Sequence, residues 1–135
     1  MSTFPLKIVT PDGLIYDGEA ERLVVRTTTG DLAILARHIN CVAPLGMGCA
    51  IVVDAAGNRR YAACIGGMLS VQNGEVNLVP TTFEWAESID ASRAQLSLER
   101  AEKVLKNKDA SATDIKLAQA RLHRALVRKS VASNK

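Results

Sequence analysis

All nine glycines and all four prolines lie at or before Pro80, and residues 81–135 contain neither. Glycine and proline interrupt helices, so the first part of the chain cannot sustain long ones, whereas the second part meets no such obstacle. The chain is therefore expected to change secondary-structure class near its two-thirds point.

The first part reads as short strands separated by turns. Lys7-Ile8-Val9, Leu14-Ile15-Tyr16, Leu23-Val24-Val25 and Leu32-Ala33-Ile34-Leu35 are bounded by Pro11-Asp12-Gly13, Asp17-Gly18 and Thr27-Thr28-Thr29-Gly30. Ile51-Val52-Val53 and Arg60–Cys64 flank a loop over residues 54–58. Leu69–Gln72 and Glu75–Leu78 flank Asn73-Gly74. Asn-Gly is the strongest two-residue hairpin signal, because a type I′ turn needs positive φ at both positions. Frequent turns between short strands predict a sandwich or barrel. Apolar residues make up 47% of the chain and aromatics only 4%, so aliphatic side chains must fill its core.

The second part reads as two helices. Ala94, Leu98, Ala101 and Leu105 recur at helical spacing, as do Ile115, Ala118, Leu122 and Ala125. Asp90 is placed to cap the first helix, and Ser111 or Thr113 the second. Asn107-Lys108-Asp109-Ala110 is the expected break, and a short connection between amphipathic helices predicts an antiparallel hairpin. Both apolar faces are narrow and rich in alanine. The hairpin is therefore expected to be marginal alone, or else to be an ordinary close-packed seam.

Charge divides at the same place. Residues 1–85 carry 6 basic and 8 acidic side chains, whereas residues 86–135 carry 11 and 6. The division predicts a β domain over residues 1–85 and a helical domain over residues 86–135, with different partners. Arg121, Arg124 and Arg128 fall on one side of the second helix, either as a solvated face or as a contact for a phosphate ligand or an acidic protein segment. The stripe is short and the strands are acidic, which argues against nucleic acid.

No catalytic constellation appears. His38 and His123 are far apart, and Gly66-Gly67 lacks the pattern of a phosphate loop, fitting a tight backbone approach or a bulge instead. Cys41, Cys49 and Cys64 have no metal-ligand spacing, and an odd number does not suggest a disulfide framework. No metal site is expected. Trp85 is expected to pack where the two parts meet. No apolar run is long enough to span a bilayer as a helix, and the start lacks a signal-peptide core. The chain is expected to work in the compartment where it is made.

Several segments, in order, resemble the epsilon subunit family of F-type ATP synthase. Ile8-Val9-Thr10-Pro11, Thr29-Gly30-Asp31 and Leu32–His38 resemble the N-terminal signature, which usually reads G-E-x-G-I-L-P-x-H. Asp31 here replaces its Glu, and Ala33 and Ala36 replace its Gly and Pro. Pro44-Leu45-Gly46-Met47-Gly48 and Gly66-Gly67-Met68-Leu69-Ser70-Val71 are similar to the segments that follow. The resemblance implies a flattened N-terminal β-sandwich followed by a C-terminal antiparallel two-helix hairpin. It implies a non-catalytic, regulatory rotor subunit of the central stalk, peripheral on the cytoplasmic face of a bacterial plasma membrane and held there only through the complex. The sandwich would bind the gamma subunit and the membrane rotor ring of c subunits, with Asp31, Arg37 and His38 in the loop turned toward those partners. The hairpin would extend to inhibit ATP hydrolysis and then meet the catalytic beta subunits.

Some bacterial relatives bind ATP on the folded hairpin through an I/L-D-x-x-R-A motif, which Ile89-Asp90-Ala91-Ser92-Arg93-Ala94 matches. The resemblance carries ATP binding to Glu84, Ile89, Asp90, Arg93, Ala94, Arg100, Arg124 and Arg128. ATP, with or without magnesium, would be a regulatory ligand, with no cofactor required. A free-standing ATP-sensing module is the alternative reading.

Overall fold

The computed structural model describes residues 2–134. The chain divides after Trp85 into two compact units. The first contains seven strands: β1 (Phe4–Thr10), β2 (Gly13–Thr27), β3 (Gly30–Ile34), β4 (Cys41–Pro44), β5 (Met47–Asp54), β6 (Arg59–Gln72) and β7 (Glu75–Trp85). The second contains a single 3-10 turn (Ala86–Ser88) and the helices α1 (Ala91–Lys106) and α2 (Ala112–Ala132).

Hydrogen bonding runs in the order β1-β7-β6-β5-β2-β3, β4 adds to β6, and β1 also pairs with β2. The path thus returns to its start through β1, β7, β6, β5 and β2. Long strands make this closure possible by changing partners along their length. The first half of β2 pairs with β1, and the second half pairs with β5 and β3 after a register shift between Ala20 and Arg22. Alternate residues point inward, so Phe4, Leu6, Ile8, Leu23, Val25, Val52, Leu69, Val71, Val76 and Leu78 meet in one β-sandwich core.

The expected turn at Asp17-Gly18 is not formed. β2 passes straight through it, with Asp17 opposite Lys7 and Gly18 opposite Leu6. The ladder to β1 satisfies the backbone there, and Gly18 has no positive φ to turn the chain. The segments expected as two strands, Arg60–Cys64 and Leu69–Gln72, are one strand, β6. Gly66 and Gly67 bridge them with φ of 68° and 99°, while the register to β7 stays constant on either side. They mark a tight approach rather than a bulge: a Cβ on Gly67 would run into the Val79 carbonyl. Asn73 and Gly74 form the expected hairpin turn, with φ of 52° and 83°.

Trp85 ends β7 and packs edge-on to Phe83 (centroids 5.0 Å apart) and Tyr16 (6.5 Å), while the Arg60 guanidinium lies 3.7 Å from its ring centroid. These contacts hold the indole within the sandwich unit.

In the helical unit, the Asp90 carboxylate accepts the Arg93 backbone N–H at 3.1 Å. The Ser111 hydroxyl accepts the Asp114 N–H at 3.1 Å, and the Asp114 carboxylate accepts the Ser111 N–H, completing a capping box. Ala94, Leu98 and Ala101 of α1 are buried, as are Ala118 and Ala125 of α2. Leu105 and Leu122 are half-buried. Ile115, expected on the buried face, is 36% exposed. It stands in the first turn of α2, and the buried row of that helix begins only at Ala118.

Candidate functional site

The narrow seam between α1 and α2 leaves a groove along one side of the hairpin. The buried alanines let the helices approach closely, and the residues beside them then face a shared channel. α1 contributes Ser97, Arg100, Ala101 and Val104, and α2 contributes Ala118, Arg121, Arg124, Ala125 and Arg128. The groove encloses about 360 Å³, within the range of roughly 300–1,000 Å³ common for small-molecule sites.

Its floor is alanine and valine, its walls carry four guanidiniums, and among the described residues no carboxylate lines it. Arg100, Arg121 and Arg124 are exposed, and among the described residues they form no salt bridge. Arg128 is half-buried and has a partner of its own. Four like charges around a small concavity raise the local positive potential and suit an anion. Planar guanidiniums meet phosphate or carboxylate oxygens through paired N–H donors, at shorter and stronger hydrogen bonds than neutral groups make.

Three residues named from sequence, Arg100, Arg124 and Arg128, are brought together here from both helices. The others lie elsewhere. Asp90 and Arg93 stand exposed at the start of α1, with the Asp90 carboxylate engaged in its cap. Ile89 and Ala94 are buried. Glu84 is half-buried on β7, opposite Ala63 in the sandwich unit, and it too has a partner.

Arg121, named from sequence in the basic stripe of α2 though not among the residues that the resemblance implies, also lines the groove, as do Ser97 and Val104, which sequence did not single out. Arg93, Ser97, Arg100 and Val104 recur at i, i+4, i+7 and i+11, the helical row next to the buried Ala94/Leu98/Ala101 row. That periodicity was the available signal, and it becomes a site only when α2 supplies the other wall.

On the sandwich, Asp31 is exposed and pairs with Arg26 at 2.9 Å. Arg37 is exposed and adopts a positive φ of 65°. The His38 Nδ1 lies 2.8 Å from the Ile39 carbonyl, and its backbone N–H donates to Leu35 at 3.3 Å. Asn40 then ties this loop to the β6–β7 turn by accepting the Asn73 N–H at 2.9 Å. Leu35, Ile39 (78% exposed) and Val42 (68%) leave large apolar surface beside these polar residues.

The sequence and the fold have close counterparts. Residues 3–86 match the beta-sandwich domain of the ATP synthase delta/epsilon chain, and residues 87–133 match its long alpha-helix domain. The chain is 44% identical over 134 residues to the ATP synthase epsilon chain of Bacillus velezensis, spanning 99% of this chain and 100% of that one. It is 38% identical over 135 residues to the epsilon chain of Shouchella clausii, covering 100% of this chain and 98% of the relative. A similar fold occurs in the cryo-EM structure of the mitochondrial ATP synthase of Euglena gracilis (OSCP/F1/c-ring), with a TM-score of 0.86 at 20% identity over 100% of this chain and 83% of that one. A second occurs in the central stalk and c-ring of the Tetrahymena thermophila mitochondrial ATP synthase, with a TM-score of 0.61 at 14% identity over 95% of each chain.

Proposed function

The chain belongs to the ATP synthase epsilon-chain family, and from that premise we propose that it is a non-catalytic regulatory subunit whose hairpin binds ATP in the arginine groove. The groove carries the proposal: it is a concave, cationic site assembled from two helices of an element whose packing is mostly alanine.

The sandwich is the part that docks. Its partners are the gamma subunit and the c subunits of the rotor ring. The exposed Leu35, Ile39 and Val42, beside Asp31, Arg37 and His38, support a protein contact at this edge, since clustered exposed apolar side chains commonly mark one. The chain thereby sits peripherally at the cytoplasmic face of a bacterial membrane, through the complex alone. Among its described residues no helix is long and apolar enough to cross a membrane.

The hairpin is the part that switches. Closed, its facing helices put Arg100 across from the arginines of α2, and a polyphosphate bridges both walls. Opened, the two walls separate and the site is lost. ATP therefore favours the closed form by its differential affinity for the two states. The open helices, basic on one side, reach the catalytic beta subunits and block hydrolysis. Low ATP favours the inhibitory form, and high ATP withdraws it. Asp90 and Arg93 sit at the start of α1, where they border the nucleoside end of the ligand, with Ile89 and Ala94 buried behind them.

Calorimetric titration of the full chain with ATP, with and without magnesium, tests this reading. A distance probe spanning α1 and α2 should report compaction as ATP is added. Arg124→Ala removes a charge-assisted contact of about 1.5–3 kcal/mol. Affinity should fall roughly ten- to a hundredfold, at about 1.4 kcal/mol per factor of ten. Absence of binding at millimolar ATP, or identical affinity in the variant, would leave the groove with no role in nucleotide sensing.

A further inference from the structure

Arg121 stands apart from the residues that the family motif designates, yet it lines the same groove as Arg100, Arg124 and Arg128. Because the helices run antiparallel with a short connection, positions along the groove can be ordered. Arg128 lies toward the start of α1, where Asp90 and Arg93 stand. Arg124 is one turn further on, and Arg121 is nearest the connection, in the part of the groove lined by Val104 and Ala118. From Arg128 to Arg121 is about 10 Å along the helix axis, at roughly 1.5 Å per residue.

A monophosphate carries a charge of about −1.5 to −2 near neutral pH, so it cannot neutralise four guanidiniums gathered on it. Linked phosphates laid along the row bring more charge and let the cations stay apart. The groove is thus better matched to a chain of phosphates than to a single one, and its far end is a cation with apolar neighbours.

We propose that Arg121 holds the terminal phosphate of a nucleoside triphosphate and so makes the groove prefer triphosphate over diphosphate. The inference rests on the nucleotide reading of the groove given above. With the nucleoside at the Asp90–Arg93 end, the first phosphates fall beside Arg128, Arg124 and Arg100. Only the last reaches Arg121. A diphosphate stops short of it.

Full-length wild type, Arg121→Gln, Arg121→Lys and Lys129→Gln are titrated with ATP and with ADP, with circular dichroism confirming that each keeps its helices. Lys129 is exposed on the same helix and does not line the groove, so its variant controls for net charge. Arg121→Gln should weaken ATP binding by about tenfold, the loss of one charge-assisted contact, and change ADP binding by less than about twofold. Arg121→Lys should fall between wild type and Arg121→Gln, and Lys129→Gln should leave both ligands unchanged. If wild type binds ATP and Arg121→Gln binds it equally well, this inference fails and the groove reading stands. Equal weakening of ATP and ADP, or the same loss in Lys129→Gln, also overturns it, since Arg121 then acts only through the general field. If wild type binds neither nucleotide, the groove reading fails and this inference falls with it.

Discussion

Single residues in the sandwich show how burial controls chemistry. Cys64 is 3% exposed, and burial pushes its thiol up from an ordinary value of 9.0 to about 12, with nearby Cys49 adding to the shift. The thiolate is the reactive form, so Cys64 should resist alkylation in the folded chain and react once the chain unfolds. The same shift links folding to pH. Above pH 9 the unfolded chain releases this proton, while the folded chain holds it until about pH 12. The stability contribution is therefore complete below pH 9 and declines through pH 9–12, by at most about 1.4 kcal/mol per pH unit for one proton. Urea denaturation from pH 8 to pH 11 should show a shallower alkaline decline in Cys64→Ala than in wild type. Parallel declines would mean that Cys64 ionises alike in both states. Asp90 shows the opposite arrangement, a charged side chain kept at the surface with a backbone partner. Its carboxylate caps α1 through the Arg93 N–H, so it shapes the helix start whether or not a ligand is bound.

At the scale of elements, the two units differ in how they hold together. The sandwich has a ring of paired strands and a core of large aliphatic side chains such as Leu6, Ile8, Leu23, Ile34, Leu69 and Leu78. The hairpin closes over Ala94, Leu98, Ala101, Ala118 and Ala125, so most of its seam is methyl groups. At roughly 25 cal/mol per Å² of apolar surface, alanine contacts stabilise far less than leucine contacts. We propose that the sandwich folds by itself and that the hairpin opens at low cost. A chain ending at Glu87 should unfold in one cooperative transition and keep strand circular dichroism. Broad, non-cooperative melting of that shortened chain would show that the strands need the helices.

For the whole molecule, the expected division of labour is docking by the sandwich and inhibition by the helices. A complex reconstituted with the chain lacking residues from Ala86 onward should assemble normally and hydrolyse ATP faster than one with the full chain. The contrast should be largest at low ATP, where an ATP-stabilised closed hairpin is least populated. Equal hydrolysis rates at low ATP would remove the inhibitory role. Loss of assembly would place the docking surface in the helices instead.

Local chemistry made much of this molecule legible from sequence. The Asn73-Gly74 turn, the Asp90 and Ser111 caps, the break at residues 107–110 and the change from strands to helices follow from φ preferences, capping and periodicity within a few residues. What needed the tertiary structure was whatever depends on a partner distant in sequence. Asp17-Gly18 is strand rather than turn because β1 completes its ladder, and Gly66-Gly67 lie inside one strand because β7 pairs along both sides of them, with the Thr81 side chain close to Gly66 and the Val79–Pro80 backbone close to Gly67. Ile115 is spaced for burial but stays 36% exposed, because the buried row of α2 begins only at Ala118. The arginine stripe of α2 could be a solvated face on sequence grounds; it becomes one wall of a groove only because α1 packs beside it and contributes Arg100. Periodicity specifies which face of a helix a residue occupies, but what that face meets is decided by long-range packing, which no local window of sequence contains.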